Sequence, residues 1–258
     1  MTARALVVVP TYNERETLPE VIARVLAVPA DVDLLIVDDG SPDGTGAIAD
    51  EHAERSERVS VLHRPAKAGL GPAYRAGLAW GVARGYGILV EMDADLSHDP
   101  GQLPALLAAA ERSDLVIGSR YVPGGRIENW PRRRLLLSAG GNAYVRLVTG
   151  MPVRDATSGY RAFRSPVLDG IGLADLRSDG YAFQLETALR TWRAGFVIEE
   201  VPITFVERRA GASKISRAIV VEAVWRVLGW GLRGPRRAGR RHPASVTAAG
   251  VEGHREDG

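Results

Sequence analysis

The chain has 258 residues and contains no cysteine. This absence excludes a disulfide framework and any metal site built on thiolates, so a bound metal ion would need carboxylate or histidine ligands. A reducing compartment is compatible with such a composition. Lysine is nearly absent as well, because every basic residue except Lys67 and Lys214 is arginine.

The bias toward arginine has two explanations. The planar guanidinium group binds phosphate through paired hydrogen bonds, which suits a phosphorylated ligand. A genome rich in G and C would produce the same bias, and the formal net charge is only +2. The positions of the arginine residues therefore say more than their number.

Long apolar runs are also missing. The run Ala5–Val9 ends at Pro10 and is too short for the core of a signal peptide, so we expect no export. The longest apolar stretch, Ile219–Leu232, is interrupted by Glu222 and Arg226 and falls short of the roughly 20 residues of a spanning helix. These features predict a cytoplasmic protein that does not cross a bilayer.

Short apolar runs alternate with helical patterns in the first half of the chain. The runs that read as strands are Ala5–Val9, Leu34–Val37, Val59–His63, Ile88–Met92 and Leu115–Gly118. Helices are predicted over residues 17–27, 44–54, 72–84 and 102–112, the first starting with a capping box of Thr17 and Glu20. Nearly continuous apolar strands are typical of parallel sheets covered on both faces. The pattern predicts an α/β fold with an open, mostly parallel, Rossmann-like sheet flanked by helices.

The pattern changes after Ser119. Helices are predicted over residues 132–149, 181–193 and 214–232, and a strand over residues 196–205. We expect these elements, with the segment TSGYRAF that begins at Thr157, to form a second layer. Residues 1–232 then make one domain, and residues 233–258, which lack periodicity, are predicted to be a disordered basic tail.

Polar clusters follow the first two predicted strands, at residues 10–14 and 38–44. Carboxylates at strand ends accept hydrogen bonds from a base or a ribose, and glycine lets the backbone turn tightly beside a ligand. For Asp39 we favour contact with a ligand. For Asp43 and Gly44 we favour ordinary turn chemistry.

Asp93 and Asp95 follow the fourth predicted strand. Two aspartates at this spacing repel each other unless a cation lies between them, and carboxylate oxygens suit Mg²⁺ or Mn²⁺ bound to a diphosphate. Solvated loop carboxylates are the alternative. For the nearby His98 we favour packing over metal ligation.

Several motifs occur in an order that resembles a known family. They are PTYNE, VDDGSPDGT, MDADLSHDP, GSRY, TSGYRAF and VPITFVERRAGASK. Together they resemble the polyprenol-phosphate mannosyltransferases, also called dolichol-phosphate mannose synthases, within the inverting family-2 glycosyltransferases, over about Ala5 to Trp230. The resemblance implies a glycosyltransferase A type fold, GDP-mannose as donor and a polyprenyl phosphate as acceptor. It makes the layer after Ser119 the acceptor side.

The resemblance also implies roles for individual residues. Those implied to hold the guanosine are Pro10, Tyr12, Glu14, Val37 and Asp39. Those implied to surround the diphosphate are Asp93, Ala94, Asp95 and Ser97, with Asp93, Asp95 and Ser97 at the metal. Those implied to reach donor or acceptor phosphates are Arg120, Arg208 and Lys214. Fixed cations would offset the repulsion between two anionic substrates, although ordinary salt bridges are the alternative for all three. We expect the small residues Gly211, Ala212 and Ser213 to let their loop close over the donor.

A membrane surface is a further predicted partner. Arg132, Arg133 and Arg134 precede three leucines, and the helix over residues 214–232 carries Trp225 and Trp230. Basic and apolar helices of this kind lie in the membrane interface, with tryptophan at the headgroup level. A core helix is the alternative, and a partner subunit could supply the anchoring instead. We expect no nucleic-acid binding, because acidic clusters share the ligand face.

These features predict a direct displacement, in which a phosphate oxygen of the lipid attacks the anomeric carbon of mannose while Mg²⁺ or Mn²⁺ neutralises the departing GDP. Two alternatives stay open. One is a transferase that uses UDP-glucose, and the other is a metal- or nucleotide-binding module without turnover.

Overall fold

The structure, a computed structural model, describes residues 4–207 and 217–232, with side chains described for residues 4–207 and 224–232. Asp93, Asp95 and the other predicted donor residues fall inside these ranges. The predictions for Arg208, Lys214, the loop at Gly211 and the basic tail lie outside them.

Seven strands form the main sheet, and two short strands pair beside it. The strands are β1 (Ala5–Thr11), β2 (Val32–Asp38), β3 (Val59–His63), β4 (Ile88–Glu91), β5 (Leu115–Ser119), β6 (Arg126–Glu128), β7 (Arg161–Arg164), β8 (Ile198–Pro202) and β9 (Thr204–Val206). The main sheet has the order β3-β2-β1-β4-β7-β5-β8, and β6 pairs with β9. All neighbours in the main sheet are parallel except β7, which is antiparallel to β4 and β5.

Helices cover both faces of this sheet. They are α1 (Leu18–Leu26), α2 (Thr45–Arg55), α3 (Leu70–Ala83), α4 (Leu103–Ala110), α5 (Arg132–Thr149), α6 (Ser165–Gly170), α7 (Gly180–Arg193) and α8 (Arg217–Leu232). Alternate β1 residues point to opposite faces: Val7 packs in a core with Ile22 of α1, and Val8 in a core with Leu78 of α3 and Phe183 of α7. The predicted α/β fold with a mostly parallel, flanked sheet is confirmed.

Helices α5 and α8 pack against each other. At Gly231 of α8 a β-carbon would lie 2.5 Å from the Val148 side chain of α5, so only glycine permits this approach. The Tyr144 hydroxyl group donates to the carbonyl oxygen of Val224 at 3.1 Å. In the part of the chain that the structure describes, no helix combines the length and apolar character needed to cross a bilayer.

The prediction that TSGYRAF belongs to a second layer is wrong for its last three residues, Arg161–Phe163. They lie in β7, which enters the main sheet between β4 and β5, and the strand predicted over residues 196–205 likewise contributes β8 to that sheet. An arginine in a short segment argues against a buried strand, yet the Arg161 side chain is fully buried and donates to the carbonyl oxygens of Ala156, Ser158 and Gln184. Satisfied hydrogen bonds make this burial tolerable.

Two smaller predictions are also wrong. Thr17 makes no side-chain cap, because its hydroxyl group donates to Glu14, and Glu20 pairs with Arg24 instead. The predicted strand over residues 196–205 is divided at Ile203 between β8 and β9. The backbone N–H of Ile203 still donates to the carbonyl oxygen of Ser119 in β5, whereas its carbonyl oxygen accepts the N–H of Arg126 in β6, so the chain changes partners there.

Candidate active site

A cleft of about 550 Å³ opens at the carboxyl ends of β1, β2 and β4. The predicted site residues that line it are Pro10, Tyr12, Glu14, Asp39, Asp93, Ala94 and Asp95. Because parallel strands end at the same edge, residues from three distant segments meet here. Other parts of the wall come from α3, the start of α7 and α8.

Asp93 is oriented by a tyrosine that the sequence interpretation missed. The Tyr74 hydroxyl group, on α3, donates to Oδ1 of Asp93 at 3.0 Å. Burial, together with the negative charges of Asp93 and Glu91, raises the pKa of Tyr74 well above its usual value, so the hydroxyl group keeps its proton. Tyr74 is fully buried at a helical position that reads as core, and no local signal distinguishes it from a packing residue.

Asp95 is oriented by a tight turn. Leu96 has a φ of 62°, a left-handed conformation that is strained for a leucine, and the chain returns so that Ser97 faces Asp95. The backbone N–H and the hydroxyl group of Ser97 both donate to Oδ1 of Asp95. Ser97, predicted to be at the metal, is buried and does not line the cleft; its described contact is with Asp95.

His98 packs in the wall of the site, as favoured from the sequence. Its ring lies 5.0 Å from Tyr160 and 5.5 Å from Phe205, centroid to centroid. Its Nδ1 accepts the backbone N–H of Asp93 at 3.3 Å. Burial lowers the pKa of His98, which favours the neutral ring that this hydrogen bond requires.

Asp39 holds the loop after β3 against the cleft. Its carboxylate accepts from Nη1 of Arg64 at 2.6 Å and from the backbone N–H of Ala68 at 3.1 Å. The same loop carries Lys67, whose Nζ lies 3.9 Å from the centre of the Tyr12 ring. Lys67 lines the cleft and was also missed, because a single lysine in a loop gives no periodic signal.

Val37 does not have the predicted contact with the cleft. Its side chain is fully buried and packs over Gly77 of α3, where a β-carbon would lie 2.9 Å from it. Asp43 and Gly44 form the favoured turn: Oδ1 of Asp43 accepts the Thr45 N–H at 3.0 Å, and Gly44 has a φ of 92°.

Arg120, which the resemblance implies reaches a phosphate, pairs with a buried aspartate in this structure. Its Nε and Nη2 each lie 2.7 Å from a different oxygen of Asp155, and both side chains are buried. Burial alone would lower the pKa of Arg120, but the Asp155 carboxylate outweighs it and raises the pKa. Arg120 does not line the cleft; it donates at 2.9 Å to Thr157, which does. The structure therefore makes Arg120 part of a buried pair that supports the wall.

A second buried polar group lies beneath the cleft. Gln184 of α7 lines the cleft, and its Nε2 donates to Oε2 of Glu91 at 2.9 Å. Burial raises the pKa of Glu91 to about 7, against the opposing charge of Arg161 across the β4–β7 pair. This arrangement depends on β7, so the sequence interpretation did not find it.

The sequence profile described as Glycosyl transferase family 2 matches residues 6–172. The chain belongs to glycosyltransferase family 2. The matched range contains the ends of β1, β2 and β4 at the cleft and both aspartates of the Asp93 and Asp95 pair.

Two curated relatives resemble this glycosyltransferase along most of their length. A polyprenol monophosphomannose synthase of Mycolicibacterium smegmatis is 54% identical over 90% of this chain and 89% of its own. An undecaprenyl-phosphate mannosyltransferase of Micrococcus luteus is 53% identical over 89% of this chain and 94% of its own. Both cover more of this chain than the family profile does.

A solved structure with the same fold is glucosyl-3-phosphoglycerate synthase from Mycobacterium tuberculosis, in complex with Mn²⁺, UDP and phosphoglyceric acid. It has a TM-score of 0.63 and 22% identity, over 91% of this chain and 78% of that chain. This likeness confirms the glycosyltransferase fold.

The Asp93 and Asp95 carboxylates of this glycosyltransferase fit a hard divalent cation, because both line the cleft and are oriented by hydroxyl donors. Among the described residues no group of three or more histidine or acidic side chains is arranged to hold a metal ion. A cation at this pair would therefore need substrate phosphates and water to complete its coordination, as Mg²⁺ commonly does.

Proposed function

We propose that this glycosyltransferase moves mannose from GDP-mannose to the phosphate group of a polyprenyl lipid, with inversion at the anomeric carbon and with Mg²⁺ or Mn²⁺ as cofactor. The observation that carries the proposal is the oriented pair Asp93 and Asp95 in one cleft with Tyr12, Glu14 and Asp39. The names of the two curated relatives support mannose as the sugar and a polyprenyl phosphate as the acceptor.

In this proposal the donor nucleotide lies along the strand ends. Pro10, Tyr12 and Glu14 follow β1, and Asp39 follows β2, where a base and ribose find hydrogen-bond acceptors and an aromatic face. Lys67, over the Tyr12 ring, adds a positive charge near the nucleotide. The diphosphate then extends toward Asp93, Ala94 and Asp95.

The reaction is a single displacement. An oxygen of the acceptor phosphate forms a bond to the anomeric carbon as the bond from that carbon to GDP breaks. The second ionisation of a phosphate monoester is near pH 6, so the attacking group is already anionic near neutral pH and needs no strong base. Asp93 and Asp95 would hold a divalent cation, which would supply positive charge close to the leaving diphosphate. Tyr74 and Ser97 hold the two carboxylates in place through hydrogen bonds.

A polyprenyl lipid acceptor lies in a membrane, so the protein must bind to the membrane surface. Helices α5 and α8 carry exposed apolar residues suited to that contact. Leu136 and Leu147 of α5 are 74% and 85% exposed, and Trp225 of α8 is 66% exposed. Exposed apolar residues beside basic ones are typical of helices in the membrane interface. Trp230, by contrast, packs against the core, and Arg134 pairs with Glu207. We propose peripheral binding at the cytoplasmic face, alone or with an anchoring partner subunit.

The test is an assay with purified protein, Mg²⁺, a polyprenyl phosphate and either GDP-mannose or UDP-glucose, followed by identification of the glycolipid. We expect polyprenyl-phosphate mannose. A glucolipid formed from UDP-glucose alone would support the glucosyltransferase alternative. Donor binding without any glycolipid would support the non-enzymatic module.

A further inference from the structure

One acidic side chain in the wall of the cleft has no role in the proposed donor site. The acidic residues that line the cleft in the described part of the chain are Glu14, Asp39, Asp93, Asp95 and Asp179. The first four follow β1, β2 and β4 and belong to the nucleotide and metal positions proposed above. Asp179 instead precedes α7 and is exposed.

The Asp179 carboxylate is fixed through one of its two oxygens. Oδ1 accepts the backbone N–H of Gly71 at 2.6 Å and that of Gly180 at 2.7 Å, so it joins the starts of α3 and α7. A β-carbon on Gly69 would overlap with Oδ2, so this close approach requires glycine there. The backbones of two helices therefore set the orientation of the carboxylate.

The second oxygen of Asp179 is available to a ligand. Among residues 4–207 and 224–232, whose side chains are described, Oδ2 accepts no hydrogen bond and forms no ion pair. A carboxylate oxygen forms strong hydrogen bonds with hydroxyl and N–H donors. Because the orientation of this carboxylate is already set, little ordering cost opposes such a contact.

The charge of Asp179 indicates which part of the substrates suits it. An ionised phosphate offers only acceptor oxygens and repels a carboxylate, whereas a sugar is neutral and each of its hydroxyl groups can donate. Tyr181 also lines the cleft and is 37% exposed. A hexose has hydroxyl groups at its edge and C–H groups on its faces, so a carboxylate near an aromatic ring suits it. Arg177, which lines the cleft as well, can donate to other sugar oxygens.

Helix α3 connects Asp179 with the proposed metal position. Its Gly71 donates to Asp179, and its Tyr74, three residues later, donates to Asp93. Three residues correspond to about 4.5 Å along a helix, so the two carboxylates flank the first turn of α3. The transferred sugar is attached to the diphosphate, and a diphosphate at Asp93 would bring that sugar next to this turn.

We infer that Asp179 determines specificity for the sugar of the donor, its Oδ2 accepting hydrogen bonds from hydroxyl groups of the transferred hexose. This contact rests on the proposed function and adds to it the group that recognises the sugar. The nucleotide and the diphosphate bind elsewhere in the cleft, so loss of the Asp179 acceptor should weaken binding of the sugar nucleotide and leave binding of the nucleotide alone unchanged.

The test compares donor binding with and without the sugar. The Kd values of GDP-mannose and GDP are measured by calorimetry with Mn²⁺ for the wild type, Asp179→Asn and the control Asp99→Asn. Asparagine keeps a carbonyl oxygen for the two backbone N–H groups and places its amide nitrogen where Oδ2 lies, so a donor replaces the acceptor. Asp99 is exposed, accepts the Gly101 N–H at 3.0 Å and does not line the cleft.

We expect Asp179→Asn to bind GDP-mannose about tenfold or more weakly, the scale of losing one hydrogen bond to a charged group, and to bind GDP as the wild type does. The control should bind both ligands normally. Asp179→Ser, which can still cap α7 but has no carboxylate, provides the same measurement if the asparagine variant is unstable. GDP-mannose analogues that each lack one sugar hydroxyl group identify the contact, and at least one should bind the wild type and Asp179→Asn with similar affinity.

Three results would overturn the inference: an unchanged Kd for GDP-mannose in Asp179→Asn, an equal loss of GDP affinity, or the same advantage of the wild type for every analogue. A selective loss of GDP-mannose affinity in a protein that forms no polyprenyl-phosphate mannose would instead contradict the proposed function and leave the sugar contact standing. Binding of UDP-glucose in place of GDP-mannose would contradict the proposed donor, and UDP-glucose compared with UDP would then test Asp179 in the same way.

Discussion

The Tyr74 hydroxyl group donates a hydrogen bond of 3.0 Å to Oδ1 of Asp93, which joins the buried face of α3 to the end of β4. The donor is fully buried and the acceptor lines the cleft. A hydrogen bond of this kind fixes the direction in which a carboxylate presents its other oxygen. Groups that orient metal ligands in this way have measurable effects on metal affinity.

Replacement of Tyr74 by phenylalanine should lower the affinity of the enzyme for the metal ion. The change removes the hydroxyl group and keeps the ring, and loss of such a contact lowers metal affinity or activity by about 10- to 100-fold. The measurement is turnover as a function of Mn²⁺ concentration. Tyr160→Phe is the control, because its hydroxyl group bonds to the backbone of Asp99. Identical metal dependence in Tyr74→Phe and the wild type would contradict an orienting role.

Replacement of Asp95 by asparagine should lower turnover by at least about a hundredfold, the scale of losing one strong electrostatic contact. Folding should survive, because the amide oxygen can still accept from Ser97. Steady-state rates with and without excess EDTA provide the measurement, and Asp50→Asn on α2 is the control. Full activity in Asp95→Asn, or in the wild type with EDTA, would rule out the metal mechanism.

Arg208→Ala and Lys214→Ala should each lower turnover more than GDP binding. Their proposed partners are phosphates that come together during the reaction, so the loss appears in the transition state. Both residues lie outside the described residues, so this prediction rests on the sequence motifs. Calorimetry with GDP and steady-state rates separate the two effects. Normal turnover in both variants would remove this loop from the active site.

The buried pair of Arg120 and Asp155 should matter for stability. Asp155→Asn leaves a buried charge without its partner, which costs about 3–5 kcal/mol in the free energy of unfolding. Glu51→Gln, which breaks the exposed pair with Arg55, should cost less than about 1 kcal/mol. Denaturant titrations of both variants give these values.

The same pair predicts that the stability difference between the wild type and Asp155→Asn depends on pH. Burial alone would raise the pKa of Asp155, but Arg120 holds it below its ordinary value. The advantage of the wild type over Asp155→Asn is therefore complete above about pH 3.9, the ordinary pKa of an aspartate, and is lost as the pH falls through the lowered value. A difference that grows toward acid pH would contradict this assignment.

Membrane binding should depend on exposed residues of α5 and α8. The wild type should sediment with anionic liposomes at low ionic strength and be partly released by salt, which screens surface charges. Leu147→Asp with Trp225→Asp should abolish sedimentation, because both side chains are exposed and apolar. Ala23→Asp with Ala47→Asp adds the same charge on exposed positions of α1 and α2 and should bind normally.

Two outcomes would contradict the proposal that α5 and α8 bind the membrane directly. Equal sedimentation of the wild type and the Leu147 and Trp225 variant would show that these helices do not face the lipid. Poor binding by the wild type, with normal transfer to acceptor dispersed in detergent, would favour anchoring by a partner subunit. Trp230 is unsuitable for the test, because it packs against the core and its replacement would affect folding.

The sequence by itself determined the alternation of strands and helices and the position of the acidic clusters. Apolar periodicity is a local property, so the central residues of β1, β2, β4 and β5 could be recognised as strands from the sequence without knowledge of the strands that pair with them. Parallel strands place their carboxyl ends at one edge. That rule is sufficient to bring Asp39 near Asp93 and Asp95 before any coordinates are known.

Only the tertiary structure decided which polar groups are buried together. β7 enters the sheet beside β4, and this places Arg161 under the cleft; no local pattern in the segment specifies that position. Likewise, Arg120 faces Asp155 instead of the cleft, and Trp225 is exposed while Trp230 packs inward on the same helix. The physical reason is that a buried polar or aromatic side chain takes its partner from segments distant in sequence, and that choice depends on how whole elements pack.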